Sequence, residues 1–466
     1  MFMKKKVKGF FEKYDILGVL FLLFCFLIVL SWIIKPGSFL EGTLMWGEAI
    51  VPLGFFDILR APLASIVNAS HFVFFFLLVG GLYGVLNQTG IYDDMVKRMA
   101  KRLGDKTVLI VTLFFVLMGT ITGNFLLLFV LVPFFMAVVL VNKHDKITAL
   151  AVTIGAMLIG NMVGIFHSII VSTFKFYYEI EFSNNLIEKL IVLGLFTGLY
   201  LMWINKRKEK KKEMIPLYEE KKGKTKLEQI RILSIISIVF IAFLAVVMYD
   251  WFYAFNIEAV QQASESITQN EYASKILGNF NAFGSWSIYD ISVILFLYIL
   301  VIMFIFQMKY VKVSEGFIWG AKQMIKPALF FGLTLIAYYS IMITQGESNI
   351  YNSIVGFFFN LFQDIEVIAY AFSSLIGSLF YNNMGEMIFA TTNFAAPAVV
   401  TANSFIALTI TIFYGLGLLF VPTSGFLVVG LSMLDISYCK WLKYIYKLLL
   451  VFAGVGLALS VMMHLL

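Results

Sequence analysis

Apolar runs separated by short polar segments dominate the sequence. Nine runs are each about long enough to cross the ~30 Å hydrocarbon core of a bilayer as a helix. They lie at residues 16–34, 72–88, 147–172, 188–204, 232–249, 286–307, 328–345, near 403–433, and in a last run that ends at 466. Two further apolar blocks, 107–141 and 366–401, carry polar residues near their middle, so we expect each to cross twice or to fold back as a re-entrant hairpin. The pattern predicts an all-α polytopic membrane protein with about eleven membrane segments.

The amino-acid composition excludes a soluble fold of this size. Hydrophobic residues make up 61% of the 466 residues and charged residues 14%, with a mean hydropathy of +0.90. Ordinary globular chains are roughly 45–50% apolar and about 25% charged. The first apolar run is longer than the core of a secretory signal and shows no small-residue cleavage site, so we interpret it as the first transmembrane helix.

The sequence lacks the usual motifs of enzymes and ATP-driven pumps. It contains no GxxxxGK[ST], GxSxG or CxxC motif, and its two cysteines cannot form a disulfide framework. The four histidines, which lie too far apart to suggest a metal motif, are His71, His144, His167 and His464. We therefore expect neither an enzyme nor a bound metal or cofactor.

The distribution of Lys and Arg predicts the orientation in the membrane. Lysines within residues 4–13 precede the first run, and cations also fill residues 97–106, as is typical of cytoplasmic segments. Residues 206–231 carry eleven Lys or Arg, which we interpret as a solvated cytoplasmic linker, with a lipid-headgroup or regulatory patch as the alternative. Counting spans places the N-terminus in the cytoplasm and the C-terminus outside the plasma membrane. Because the net charge of +7 resides in short loops, nucleic acid is a poor explanation for it.

Two stretches share one order of features. Residues 74–103 and 329–361 each contain an aromatic-rich span, a polar turn with Gln and Gly, an Ile-Tyr pair and an amphipathic helix. Tyr92 and Tyr351 lie 259 positions apart. On the charge assignment the two copies run in opposite directions, which is typical of the inverted-topology repeats of secondary transporters. A chance likeness of two low-polarity helices is the alternative.

The repeat predicts three parts of the chain. Residues 1–205 would form a first membrane repeat, and residues 206–231 a basic cytoplasmic linker. Residues 232–466 would form a second membrane repeat with an extra leading span. In transporters built this way, the substrate site lies near the bilayer midplane between the repeats.

Four polar clusters interrupt the apolar segments. A polar residue in the hydrocarbon core costs free energy unless it is paired or lines a cavity. Two of the clusters, at Gly123-Asn124 and Gly385-Glu386, lie 262 positions apart at matching places in the two halves. The clusters supply the candidate substrate-binding residues, which are Thr120, Thr122, Gly123, Asn124, Asn161, His167, Asn382, Asn383, Gly385, Glu386, Thr423, Ser424 and Gly425.

Helix breaks give these clusters a chemical role. The N-terminus of a broken helix suits a carboxylate, and freed carbonyls suit Na⁺ or an ammonium group. Glu386 is the one acid placed deep in a span and is the most specific candidate. For single Thr or Ser hydroxyls the alternative is a bond to the carbonyl one turn earlier, and for Gly160 and Gly164 it is close helix packing. His167 is either a core histidine or a group that handles protons or contacts substrate.

The C-terminal segment supports a family assignment. Residues 422–450, PTSGFLVVGLSMLDISYCKWLKYIYKLLL, closely resemble the PTSG…Y-x-KWLK ending of the YfcC-like carriers, which belong with the C4-dicarboxylate anaerobic (DcuC-type) carriers of the ion transporter superfamily. Residues 70–106 and 315–332 are similar to segments of the same family. The resemblance implies inverted repeats, re-entrant hairpins and carrier-type transport of amino acids or dicarboxylates. Some members are identified as arginine/ornithine exchangers.

The chain departs from the family pattern at three places. Leu126 and the leucine after it stand where relatives tend to carry two acids. His167 and the serine after it replace a frequent Asn-Pro, and Tyr414 and Leu418 replace polar residues before the PTSG motif. We therefore expect the family's fold to transfer more safely than its substrates.

Together these patterns predict a secondary transporter that moves a small carboxylate-bearing solute by alternating access. Helix N-termini in residues 120–124 and 423–425 would hold the carboxylate, while Glu386, Asn382 and Asn383 would hold an amine or a coupling cation, Na⁺ or H⁺. Because the apolar blocks contain no Lys or Arg, we expect an amino acid rather than a dianion, with arginine/ornithine-type exchange as one form. The alternatives are a C4-dicarboxylate carrier and, from another class, a channel or non-transporting membrane scaffold. The expected partners are the solute and the lipid bilayer, and a homodimer stays open.

Overall fold

The computed structural model describes residues 16–40, 43–122, 125–207, 214–220, 226–278, 281–363, 365–394, 400 and 403–465. Apart from one antiparallel β-hairpin, the regular structure in these ranges is helical. Nine helical stretches among them are long and apolar enough to cross a membrane, and four shorter apolar helices accompany these. The prediction of an all-α polytopic membrane protein is therefore confirmed.

The first half of the chain consists of a leading helix, a small β-hairpin and a series of helices. Their bounds are α1 Ile16–Ile33, β1 Gly37–Leu40, β2 Thr43–Trp46, α2 Phe55–Asn68, α3 Ser70–Thr89, α4 Ile91–Leu103, α5 Thr107–Thr122, α6 Phe125–Val141, α7 Lys146–Leu150, α8 Ala156–Val163, α9 Ser168–Tyr178 and α10 Leu186–Asn205. In the hairpin, Gly37 pairs with Trp46. A π-helical turn, Ala151–Gly155, joins α7 to α8.

The second half follows the basic linker. Its helices are α11 Leu227–Met248, α12 Trp251–Phe255, α13 Ala259–Gln269, α14 Glu271–Leu277, α15 Ile288–Ile305, α16 Tyr310–Thr334, α17 Ile350–Leu361, α18 Glu366–Phe380, α19 Met384–Thr391, α20 Phe405–Leu418, α21 Gly425–Met433 and α22 Tyr438–Leu465. A second π-helical turn, Tyr338–Ile343, follows α16. This half therefore also contains both long helices and pairs of short ones.

Two of the predicted spans are broken helices. The helix expected at 147–172 stops at Val163 and starts again at Ser168. Gly164, with a φ of +51°, ends its first part, because the left-handed conformation there favours glycine. The span expected near 403–433 is likewise interrupted between Leu418 and Gly425. Each break leaves the start of a new helix inside the protein.

The structure differs from the predicted elements at two places. Residues 250–285, expected as a loop, contain the short helices α12, α13 and α14. The span expected at 328–345 begins much earlier, at Tyr310. Buried positions such as Val313, Gly316 and Gly320 recur at helical spacing there, so one face of α16 packs inward although cations lie on the other face.

Helices α3 and α16 form a close antiparallel pair at the centre of the protein. Gly80 lies against Gly320, and Gly84 lies against Gly316, so that a Cβ at any of these positions would collide with backbone of the facing helix. Small residues spaced in this way allow two membrane helices to approach closely. The pair therefore packs the first half of the chain closely against the second.

Three pairs of helices begin at a constant distance along the sequence. The paired first residues are Ile91 and Ile350 for α4 and α17, Thr107 and Glu366 for α5 and α18, and Phe125 and Met384 for α6 and α19. Each second member follows the first by 259 positions, the separation of Tyr92 and Tyr351. The helix order of the two halves thus corresponds element by element in this region.

Part of the basic linker docks on the α3–α16 pair. We call residues 214–220 the docked linker segment. The Asn87 side chain, which is 2% exposed, donates to the Leu217 carbonyl and accepts from the Glu219 N–H, both at 2.9 Å. The Leu217 N–H donates to Gln323 Oε1 at 3.0 Å. Two side chains on α3 and α16 therefore bind this segment through its backbone.

Side chains of the docked linker segment also contact α4. The Tyr218 hydroxyl donates to the Asp93 carboxylate, and Lys97 pairs with Glu220 at 3.0 Å. The Leu217 side chain is completely buried. The segment is thus held by buried apolar surface as well as by hydrogen bonds.

Several contacts between distant parts of the chain join segments that the charge distribution assigns to the same side of the membrane. At the end predicted to be cytoplasmic, they join Lys97 with Glu220, Asp145 with Arg207, and Lys326 with Asp435. At the opposite end they join Gly37 with Asn349, Lys175 with Asn256, and Asn185 with Ser404. The charge distribution assigns these two sets of contacts to opposite sides of the membrane. Which of the two sides is cytoplasmic stays a prediction.

Candidate functional site

A cavity of about 440 Å³ lies between the two halves of the chain. Its size falls within the roughly 300–1,000 Å³ typical of small-molecule sites. Its lining residues are Asn68, His71, Phe72, Phe125, Leu126, Asn161, His167, Ile169, Phe331, Leu335, Tyr338, Tyr339, Asn382, Asn383, Met384, Glu386, Tyr414, Leu418, Gly425 and Phe426. Six of the thirteen predicted site residues are among them: Asn161, His167, Asn382, Asn383, Glu386 and Gly425.

Three helices begin at this cavity, and the described part of a fourth helix, α6, begins beside it. Their first residues are Phe125 for α6, Ser168 for α9, Met384 for α19 and Gly425 for α21. In each case the first helical residue or its immediate neighbour lines the cavity. Each helix start carries about half a positive charge, together with N–H groups that have no partner within the helix. The starts of α9, α19 and α21 therefore bring positive helix ends to a cavity that no Lys or Arg lines among the described residues.

The helix starts differ in how their N–H groups are satisfied. His167 Nδ1 accepts from the Ile170 N–H at 3.3 Å, and Asn383 Oδ1 accepts from the Glu386 N–H at 2.7 Å. Ser424, which precedes α21, makes no such bond. Glu386 also lies in the first turn of α19, where its charge offsets that helix's dipole. The start of α21 is thus the best placed to bind an anion.

Two lining amides carry buried atoms without hydrogen-bond partners. Within the described residues, neither Asn161 Oδ1 nor Asn382 Nδ2 has a partner. A buried polar group left unpaired costs about 1–3 kcal/mol. One unpaired atom is an acceptor and the other a donor, so a polar ligand in the cavity could satisfy both.

Four predicted site residues with hydroxyl groups lie behind the cavity lining. Thr120 Oγ1 donates to the Gly160 carbonyl at 2.9 Å, and Thr122 Oγ1 donates to the carbonyl one turn earlier in α5 at 2.8 Å. Thr423 Oγ1 donates to a carbonyl of α18 at 3.4 Å, and Ser424 is also buried. These hydroxyls therefore stabilise the packing around the cavity and do not face it.

Close packing explains the positions of the glycines. Gly385 packs against Ile169 and Thr173, and Gly160 packs against the backbone of α5. A Cβ on Gly425 would lie 2.5 Å from the Phe331 ring, so this glycine lets α21 start close to α16. Gly123 and Asn124 lie outside the described residues.

Several lining residues were not predicted as part of the site. Asn68 and His71 come from the junction of α2 and α3, and Tyr338 and Tyr339 from the second π-helical turn. The first pair follows no helix-breaking motif, and the second lies within an aromatic-rich run. The sequence marks Tyr414 only as a departure from the family pattern, yet it lines the cavity and donates to a carbonyl at the end of α18 at 2.9 Å.

Glu386 dominates the charge of the cavity. Its side chain is exposed to the cavity rather than buried in packing. No Lys or Arg lines the cavity in the described part of the chain. No group of three or more His, Cys, Asp or Glu within the described residues could hold a metal ion. One carboxylate and the electropositive helix starts therefore share a single chamber.

The family model for the C4-dicarboxylate anaerobic carriers matches residues 14–465. The chain belongs to this family. Membership makes this carrier a secondary transporter rather than an enzyme, with a small-molecule substrate and a place in the lipid bilayer. The family resemblance found in the sequence is therefore confirmed, as is the expectation that the protein is not an enzyme.

Other comparisons add little to the family assignment. No curated protein matches the sequence of this carrier. Among solved structures, the Alcanivorax borkumensis YdaH transporter is similar to it at 13% identity with a TM-score of 0.41, over 95% of this chain and 97% of that one. A likeness at this level carries no inference about substrate.

Proposed function

We propose that this carrier transports a small amino acid, with Glu386 binding the amino group and the start of α21 binding the carboxylate. The presence of opposite charges in one cavity carries the proposal, because Glu386 lines the same chamber as the start of α21, which has no side-chain cap. A zwitterion matches both charges. The carboxylates of a dianion would match the helix starts but would be repelled by ionised Glu386.

The same charge distribution supports coupling to a cation or exchange. Without solute, the Glu386 carboxylate has no Lys or Arg beside it among the described lining residues. A carboxylate in this environment requires Na⁺, a proton or a cationic solute to offset its charge. Exchange of one amino acid for another, including basic ones, would keep the site neutralised throughout the cycle.

The predicted inverted repeats, 1–205 and 232–466, form part of the proposal. The constant 259-position offset of three helix pairs supports the repeat. The α6 and α19 starts, one from each half, also meet at one cavity. Contacts between segments that the charges assign to the same side are consistent with the charge-based topology, which places the N-terminus in the cytoplasm and the C-terminus outside.

Counterflow in proteoliposomes tests the substrate class. We would load unlabelled arginine, ornithine, a neutral amino acid or succinate, and follow uptake of the matching labelled solute. We expect counterflow with amino acids, and loss of at least about tenfold in Glu386→Gln, because the charge that binds the amino group is removed.

A matched variant controls for general effects of losing a carboxylate. Glu366→Gln makes the same change in the first turn of α18, outside the cavity lining, and should transport normally. Amino acid counterflow that survives Glu386→Gln unchanged would contradict the assigned role of Glu386.

A C4-dicarboxylate is the second candidate. The family description favours it, and more helix starts line the cavity than one carboxylate requires. In that case succinate alone would support counterflow, and Glu386→Gln would leave it intact or strengthen it, because the repelling charge is gone. The same set of vesicles therefore separates the two candidates.

A further inference from the structure

The second π-helical turn directs two consecutive tyrosines into the cavity. Tyr338 and Tyr339 both line it, and both are partly exposed. Neighbouring residues of an α-helix point about 100° apart, so a wider turn helps both rings reach one chamber. π-helical turns occur frequently at functional sites. The two tyrosine rings lie 5.5 Å apart in an edge-to-face arrangement.

The first π-helical turn shows that the geometry alone does not make a site. Ala151–Gly155 is completely buried, and the Tyr200 hydroxyl donates to the Ala151 carbonyl at 2.8 Å. None of its residues lines the cavity. The second turn differs because two of its tyrosines line the cavity and are partly exposed.

Both tyrosines lie within electrostatic range of Glu386. Glu386 acts electrostatically on Tyr338 and Tyr339 and also on Tyr381 and Tyr414, and all four tyrosines belong to the second half of the chain. The Tyr338 and Tyr381 rings lie 6.3 Å apart in an edge-to-face arrangement. One acid is thus surrounded by aromatic rings, whose negative faces attract cations.

We propose that Tyr338 and Tyr339 determine specificity by binding, through their ring faces, an ammonium or guanidinium group whose charge Glu386 neutralises. The inference rests on the proposed function and extends it from amino acids in general to those with a cationic side chain. Amino acids with a cationic side chain would be bound by both the Glu386 carboxylate and the tyrosine rings. Neutral amino acids would be bound by the carboxylate alone.

Competition between isosteres tests the proposal. Arginine and citrulline have nearly the same shape, but only arginine carries a cationic side chain. We would measure how strongly each inhibits arginine counterflow by the full-length carrier, and compare the wild type with Tyr338→Leu/Tyr339→Leu. The rings should favour arginine by roughly five- to thirtyfold, so the leucine variant should lose most of that preference and still exchange a neutral amino acid.

Further variants separate the ring from the hydroxyl. Tyr338→Phe/Tyr339→Phe keeps both rings and should keep the preference, whereas Tyr338→Trp should raise it because Trp binds cations best. Tyr310→Leu, at an exposed position away from the cavity, serves as the control. Size-exclusion profiles of each variant report on folding.

The outcomes distinguish failure of this inference from failure of the proposed function. If the phenylalanine variant loses as much preference as the leucine variant, or if arginine and citrulline weaken equally, the role of the rings is wrong. A wild type that exchanges amino acids without preferring arginine overturns this inference alone. A wild type that exchanges only succinate overturns the proposed function as well.

Discussion

The cavity has two walls of different chemistry. One wall consists of the first residues of α6, α9, α19 and α21, together with Glu386 and two amides that each have a buried atom without a partner among the described residues. The other wall consists of α3, α16 and the second π-helical turn, which present His71, Phe72, Tyr338 and Tyr339. The first wall offers positive backbone ends and one carboxylate, and the second offers ring faces.

This difference separates two functions within one site. Backbone N–H groups bind any carboxylate, and they remain when a side chain is substituted. The first wall therefore suits the carboxylate group that all the proposed substrates share. Side chains on the second wall can change without altering the helix starts. We therefore expect substitutions in the first wall to affect transport of every substrate, and substitutions in the second to change which substrate is preferred.

The largest effect on transport should follow from a substitution that displaces the start of α21. In Gly425→Ala, the new Cβ would lie 2.5 Å from the Phe331 ring and push the start of α21 away from α16. Overpacking of this kind costs about 1–3 kcal/mol, and we expect counterflow of all substrates to fall by roughly tenfold. Gly454→Ala, where nothing lies within 4 Å, is the control. Loss of a single substrate only would contradict the shared role of this wall.

An intermediate effect should come from Asn161→Leu. Its Oδ1 is buried without a partner among the described residues, so an apolar side chain should stabilise the empty carrier by about 1 kcal/mol while lowering counterflow severalfold. Thermal unfolding in detergent measures the first effect. Asn142→Leu provides the contrast, because Asn142 donates to the Ala100 carbonyl and to Thr107 and its loss should destabilise. A destabilised Asn161→Leu would show that this amide supports packing instead of substrate.

The smallest effect on transport should follow from Asp145→Asn. Asp145 caps α7, which leads through the first π-helical turn to α8 and Asn161. Burial alone would raise the pKa of its carboxyl, but hydrogen bonds from Arg207 and Thr148 outweigh this and hold the pKa below its usual value. The charged carboxylate thus stabilises the fold above its ordinary pKa, and this contribution disappears as the pH falls through the lowered value.

Thermal melts across pH check this prediction. Asp145→Asn should melt lower than the wild type at neutral pH, by a difference equivalent to about 1–3 kcal/mol. The difference should shrink in acid, and the order of substrate preference should stay the same. A difference that grows as the pH falls would contradict the assigned direction of the pKa shift.

The first wall was largely predictable from the sequence, and the second was not. Helix-breaking residues in an apolar run have a local signature, so the amino-acid pattern alone indicates Asn161, Asn382 and Glu386 as candidates. Thr120 and Thr423 share that signature but point into packing, because the direction of a side chain depends on how the helices cross.

The second wall lacks such a signature. A histidine or tyrosine in an aromatic-rich membrane helix most often faces lipid or packing. The π-helical turn that redirects Tyr338 and Tyr339 has no sequence pattern that distinguishes it from an α-helix. The register of α3 against α16 decides which residues face the chamber, and this depends on glycine contacts between segments more than two hundred residues apart.

The docked linker segment limits how far α10 can move from the α3–α16 pair. Asn87 and Gln323 hold its backbone against the α3–α16 pair, whereas Arg207, at the end of α10, is paired with Asp145 of the first half. Seven peptide units separate Arg207 from residue 214, so fully extended chain between them reaches roughly 25 Å at most. The linker therefore sets a maximum distance between Arg207 and the docked linker segment. While the segment stays docked, the C-terminal end of α10 can move no farther than this distance from the α3–α16 pair, and shortening the linker would reduce the range of that movement.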